Sequence, residues 1–109
     1  MKRDEPSGYF LGAILRGYDA ELEAGHVPTV SGIWNRVVME CIQRNAWETM
    51  FRWDTSKAKD GANRVRDIAE CLHRGLVPGL ELATDAKGRE VVRPRRQGGA
   101  TLKGDDDNT

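Results

Sequence analysis

Hydrophobic side chains recur at helical spacing near the start of the chain. Between residues 8 and 24 the apolar positions fall three or four residues apart, which brings them onto one face of a helix. Ser7 precedes this segment as an N-cap residue, and Gly25 follows it as a helix stop. The pattern therefore predicts a first helix over residues 8–24.

The next segment, residues 30–53, has the best core composition in the chain, and two interpretations of it are open. The apolar stripe of its first half ends at Cys41, whereas Trp47 and Met50 fall largely on the opposite side of the helical wheel. Either one long helix is buried on different faces at its two ends, or the helix breaks within residues 43–45. Because no Gly or Pro interrupts the segment, we favour a continuous helix over residues 30–53.

A third apolar stripe runs from Ala58 to Leu72 and is preceded by capping residues. It predicts a helix over residues 56–74, with Gly75 at the position where a left-handed residue ends a helix.

After this helix, apolar and polar residues follow one another as strand, turn and strand over residues 80–92. Pairing Thr84 with Arg89 across the turn places Leu82 opposite Val91 on the face toward the helices. We therefore expect a β-hairpin at the C-terminal end of the folded part.

The predicted fold is mainly α, a three-helix bundle with a C-terminal β-hairpin and a disordered tail. With 109 residues, the chain has the size of one domain. We assign residues 1–6 to a flexible N-terminus and residues 7–96 to a single helical domain with the hairpin. Residues 97–109, which are almost entirely Gly, polar and acidic, are expected to form a disordered acidic tail.

The overall charge and the arrangement of the reactive side chains argue against several classes of function. The 17 basic and 17 acidic residues cancel, so the strong positive field of many nucleic-acid-binding proteins is missing. Four candidate metal ligands exist, but they lack the paired short spacing of structural zinc sites. We see no nucleophile, base or carboxylate pair in a catalytic arrangement, and we expect no metal, no cofactor and no enzyme activity. The four residues considered for a metal are Cys41, Cys71, His26 and His73.

The second half of the folded part is basic, with 11 basic and 7 acidic residues between positions 52 and 96. A helix with basic outer residues followed by a charged hairpin resembles the recognition helix and wing of winged-helix DNA-binding domains. This resemblance covers residues 62–96 and implies contacts to DNA grooves and phosphates. The candidate nucleic-acid-binding residues are Arg64, Arg66, Arg74, Lys87, Arg89, Arg93, Arg95 and Arg96.

A second candidate surface lies at residues 46–53, where large apolar side chains exceed what one helix stripe can bury. Trp, Met and Arg are enriched at the centres of protein interfaces. The alternative is that these side chains all belong to the core. The candidate partner-binding residues are Trp47, Met50 and Trp53, with Arg44 and Arg52 at the rim.

These observations favour a small non-enzymatic binding protein, a regulator or inhibitor that covers a surface of a larger protein partner or associates with itself. The alternative is a small winged-helix-like DNA-binding transcriptional regulator that uses the helix at 56–74 and the hairpin. Both cysteines fall in helical patterns and the N-terminus lacks the pattern of a signal peptide, so we expect a cytoplasmic protein without membrane contact.

Overall fold

A computed structural model describes residues 6–51 and 61–95. Within these ranges the chain is mainly helical and ends in a two-stranded antiparallel hairpin, which confirms the predicted fold class. The elements are α1 (Gly8–Glu23), α2 (Val30–Arg44), α3 (Trp47–Met50), α4 (Gly61–His73), β1 (Leu80–Thr84) and β2 (Glu90–Pro94).

Helix α1 begins as its sequence predicts. The Ser7 hydroxyl accepts a hydrogen bond from the Phe10 amide at 3.1 Å, which satisfies one of the amides that lack a partner in a first helical turn. The same hydroxyl donates to the Met50 carbonyl at 3.0 Å and so connects α1 to α3. The apolar stripe of α1 is buried in the core through Phe10, Ile14 and Tyr18.

Helices α1 and α2 form an antiparallel pair that packs closely at Gly17. A Cβ atom at this position would lie 3.2 Å from Ile33 and from Arg36 and 3.3 Å from the Ile33 carbonyl oxygen. The missing side chain therefore lets the two backbones approach each other. Thr29 caps α2 by accepting a hydrogen bond from the Gly32 amide at 3.0 Å.

The prediction of one continuous helix over residues 30–53 is wrong, and the alternative break within residues 43–45 is the correct one. Helix α2 ends at Arg44 because Asn45 adopts the left-handed conformation, with φ 52° and ψ 49°. Asn enters this region more easily than other residues with a Cβ. The short helix α3 then starts at Trp47 and buries Met50, and this break accounts for the change of the apolar face seen in the sequence.

Helix α4 extends from Gly61 to His73, and the predicted start at residue 56 lies outside the described residues. Its inner face buries Ile68, Cys71 and Leu72. Gly75 follows with φ 73°, as expected for the residue that ends the helix.

The predicted hairpin is present, but its register differs by one residue. Thr84 pairs with Glu90 and Leu82 with Val92, in place of the predicted partners Arg89 and Val91. The reason is a longer turn, in which Arg89 belongs to the loop. The Asp85 carboxylate accepts hydrogen bonds from two amides of this turn, those of Lys87 and Arg89, each at 2.9 Å.

The core lies between the helices and one face of the hairpin. Phe51 is fully buried at its centre, with its ring 5.5 Å from Phe10 and 6.1 Å from Trp34, measured between ring centroids. The amide of Val92 donates to the Pro28 carbonyl at 2.9 Å and fixes the hairpin to the loop between α1 and α2. No helix in the described part of the chain is long and apolar enough to cross a membrane.

Candidate functional site

The candidate partner surface at residues 46–53 is largely part of the core. Met50 is fully buried, and Trp47 is half-buried with its ring centroid 6.0 Å from that of Phe51. Their apolar surface is therefore used mainly for folding. Arg52 and Trp53 lie outside the described residues. Of the predicted set, Arg44 has an exposed side chain, at the end of α2.

Arg64, a predicted nucleic-acid contact, lies in the core with 1% of its surface exposed. Its guanidinium carbon is 4.5 Å from the centroid of the Phe51 ring, and its Nη1 donates to the Asp67 carboxylate at 2.8 Å. The structure thus places this charge under the α4 surface, where a DNA phosphate does not reach it. The sequence contained the signal, because Arg64 precedes the buried Ile68 by one helical turn.

The predicted arginines of the hairpin bind partners within the chain. Arg89 pairs with Asp85 and Arg93 with Glu81, at 2.9 and 2.8 Å. Hydrogen bonds from the amide and side chain of Arg89 hold the pKa of Asp85 below its usual value. Arg95 donates from Nη2 to the Leu80 carbonyl at 3.0 Å. These bonds leave less of the predicted positive charge for an external anion.

Like Arg89, three further members of the basic set have exposed side chains. Lys87 lies at the turn of the hairpin, and Arg66 and Arg74 lie on and just beyond α4. Arg96 lies outside the described residues. The exposed members are therefore distributed over the helix and the hairpin turn.

The sequence interpretation missed two exposed apolar side chains on α2. Met39 and Ile42 are 48% and 66% exposed, although large apolar residues in a helix are usually buried. Both fall off the stripe that Val37 and Cys41 continue, and this phase difference is the signal that could have revealed them. They lie three residues apart and are therefore neighbours on the helix surface.

A groove of about 250 Å³ runs beside these side chains, between the outer sides of α1 and α2. Arg16 crosses it and donates to both oxygens of Glu40, from Nε at 2.9 Å and from Nη2 at 2.7 Å. This pair lowers the pKa of Glu40 and raises that of Arg16. The lining residues are Arg16, Gly17, Ala20, Arg36, Met39, Glu40, Gln43 and Arg44.

Arg36 is positioned in the groove by a buried carboxylate. Glu21 accepts a hydrogen bond from Arg36 Nε at 2.7 Å, and its other oxygen lies 3.3 Å from His26 Nδ1. The Arg36 bond is the main reason that the pKa of Glu21 falls below its usual value, although burial opposes the shift. Gly32 leaves the room for this carboxylate, because a Cβ there would collide with the Glu21 carboxylate. Helices α1 and α2 are thus held in a defined relative position by a charged network.

The four residues considered as metal ligands all lie in the described ranges. Burial raises the pKa of the Cys41 thiol to about 11, so that the thiol is protonated and weakly nucleophilic at neutral pH. Among the residues that the structure describes, no three His, Cys, Asp or Glu side chains form a group able to hold a metal ion.

Comparisons of this chain with protein-family models, with curated proteins and with solved structures find no match. The surface of α1 and α2 itself is therefore the basis for a functional proposal.

Proposed function

We propose that this chain is a non-enzymatic binding protein, a small regulator or inhibitor that acts by covering part of the surface of a larger protein. The contact surface is the α1–α2 face, which we define by Arg16, Arg36, Met39, Ile42 and Arg44. The observation that carries this proposal is the exposure of Ile42, at 66%, beside the exposed Met39 and the arginine-lined groove.

The composition of the α1–α2 face supports this function. Protein interfaces combine a few apolar anchors at the centre with a polar rim, and Met and Arg are enriched in them. Burying a whole apolar side chain of this size stabilises a complex by about 1.5–3 kcal/mol. Met39 and Ile42 supply the anchors and the arginines supply the rim. A short rigid helix pair also changes little on binding, which keeps the entropic cost low.

The test compares two variants in capture of protein from the native host. Met39→Gln/Ile42→Gln keeps good helix formers in α2 but removes the apolar anchors. Val27→Gln, a control, changes an apolar side chain that is 58% exposed in the loop outside the α1–α2 face. We expect the wild type and Val27→Gln to capture the same protein in stoichiometric amount and Met39→Gln/Ile42→Gln to lose it. The circular dichroism spectra of all three proteins should be the same, which shows that the fold is unchanged. Equal capture by all three proteins contradicts the proposal.

DNA binding is a second candidate, favoured by the break of the chain at Asn45. Because of the break, α2 ends at Arg44, and helices of moderate length precede α4 and the hairpin. The winged-helix resemblance requires such an arrangement. The exposed cations Lys87, Arg66 and Arg74 would supply the phosphate contacts. The affinity for a random-sequence DNA duplex should then fall steeply as the salt concentration rises. In the variant Lys87→Gln, which loses one phosphate contact, this salt dependence should be less steep. A duplex affinity that salt and Lys87→Gln leave unchanged would rule this candidate out.

The proposed place of action is the cytoplasm. Cys41 and Cys71 both lie buried in helices, an arrangement that needs no oxidising compartment.

A further inference from the structure

We infer that the partner presents an acidic amphipathic helix, which lies in the groove between α1 and α2 and contacts the α1–α2 face. This inference rests on the proposed function and specifies the chemistry of the partner. It follows from the shape of the groove, from its charge and from the position of its apolar edge.

The shape of the groove suits a helix. Two antiparallel helices have a groove on each side, and the core fills the inner one here. The lining of the outer groove includes Ala20, whose small side chain leaves room for side chains of a third helix. Helices that bind other proteins commonly lay their apolar stripe into a groove of this kind.

The charge of the groove selects an acidic partner. Three arginines and one carboxylate, that of Glu40, line it. Glu40 is paired with Arg16, and Glu21 engages Arg36 through Nε. Within residues 6–51 and 61–95 the Arg44 side chain forms no hydrogen bond or ion pair, although after Arg16 its charge also helps to lower the pKa of Glu40. The contact of Arg36 with Glu21 is made by Nε, which leaves its Nη atoms as further donors. These donors match the two oxygens of a carboxylate, which guanidinium groups bind in a fork.

The apolar edge fixes how such a helix is oriented. Met39 belongs both to the groove lining and to the exposed pair with Ile42, so apolar and cationic surfaces adjoin each other. A partner helix that covers Met39 and Ile42 with its apolar stripe brings the residues beside that stripe over Arg36 and Arg44. Asp or Glu three or four residues from an apolar anchor therefore meets the arginines.

The experiment uses a photo-crosslinking residue in the full chain. Gln43, an exposed residue of the groove lining, is replaced by p-benzoylphenylalanine in the native host, and the cross-linked segment is identified by mass spectrometry. The same replacement at Lys87, at the hairpin turn, is the control. We expect the segment cross-linked at position 43 to have helical apolar periodicity, an excess of Asp and Glu, and no counterpart at position 87.

A synthetic peptide of that segment then tests the charge directly. Its affinity should fall about threefold to tenfold when its Asp and Glu residues become Asn and Gln, or when Arg44→Gln is introduced in this chain. Lys87→Gln, which removes one positive charge elsewhere, should leave the affinity unchanged.

The outcomes separate the two proposals. If cross-linking at position 43 joins no protein, or if it persists in the variant Met39→Gln/Ile42→Gln, the proposed function itself fails. If it joins a protein whose segment is basic, neutral or extended, the proposed function stands and the acidic helix is wrong. A nucleic acid or lipid joined at this position overturns both.

Discussion

The Arg64 guanidinium lies in the core, where it covers the ring of Phe51 and pairs with Asp67. A guanidinium group tolerates this burial because its flat face packs on an aromatic ring while its edge donates hydrogen bonds. The charge of Arg64 thus contributes to the stability of the core and is not part of the exposed cationic surface of α4.

The first prediction concerns this residue. Arg64→Ala should lower the free energy of unfolding by about 2–4 kcal/mol, because it removes the packing over Phe51 and leaves a cavity in the core. Arg66→Ala, a change at an exposed position of the same helix, should cost less, at most about 1 kcal/mol, because exposed charges contribute little. Urea denaturation measures both values. Similar losses in the two variants would mean that Arg64 does not support the core.

At the scale of elements, the apolar periodicity predicted the helices and the hairpin but not their exact ends. The sequence shows the phase change after Cys41, but its apolar spacing does not show that Asn45 adopts the left-handed conformation that ends α2. The hairpin register moved by one residue because the Asp85 carboxylate binds the amides of Lys87 and Arg89 and enlarges the turn. The left-handed backbone of Asn45 decides the first feature and the side-chain hydrogen bonds of Asp85 decide the second, and hydrophobic spacing reports neither.

The second prediction tests the close approach of α1 and α2. Gly17→Ala should destabilise the fold by about 1–3 kcal/mol, because the new methyl group meets Ile33 and Arg36 at 3.2 Å. Gly12→Ala, in the same helix, meets only the Arg16 guanidinium, at 3.1 Å, and no backbone of α2. It should stay within about 1 kcal/mol of the wild type, because the gain in helix propensity offsets a small shift of Arg16. Thermal and urea unfolding of both variants measure the difference. A stabilising Gly17→Ala would show that the two helices are not tightly packed there.

At the scale of the whole molecule, the α1–α2 face could be predicted only in part. The sequence shows that Met39 and Ile42 leave the apolar stripe of α2, but not that the other described elements leave them exposed. That depends on where α3, α4 and the hairpin pack, which is a property of the complete fold. The same packing draws Met50 and Arg64, both predicted site residues, into the core.

The third prediction concerns acid stability, to which the network between α1 and α2 contributes. The folded-state pKa values of Glu21 and Glu40 lie below the ordinary 4.5, because Arg36 and Arg16 donate hydrogen bonds to these carboxylates. As the pH falls, the unfolded chain binds protons first. The contribution of Glu21 and Glu40 to the free energy of unfolding is therefore complete above pH 4.5. It is lost as the pH falls through their lower pKa values in the folded state.

Urea denaturation between pH 3 and pH 7 checks this dependence. Glu21→Gln should be less stable at neutral pH and should show a shallower decline in acid than the wild type. Glu23→Gln, which removes an exposed carboxyl from the same helix, is the control and should decline as the wild type does. An equally steep decline in Glu21→Gln would show that this carboxylate does not govern acid stability.

Amide hydrogen exchange can locate the binding surface of this chain, which we propose to be the α1–α2 face. The measurement compares the full chain alone and in complex with the protein captured from the native host. We predict slower exchange at residues 16–20 and 36–44 in the complex and unchanged exchange in the hairpin at residues 80–94. Protection confined to α4 and the hairpin, with exchange at residues 36–44 unchanged, would show that the α1–α2 face is not the binding surface.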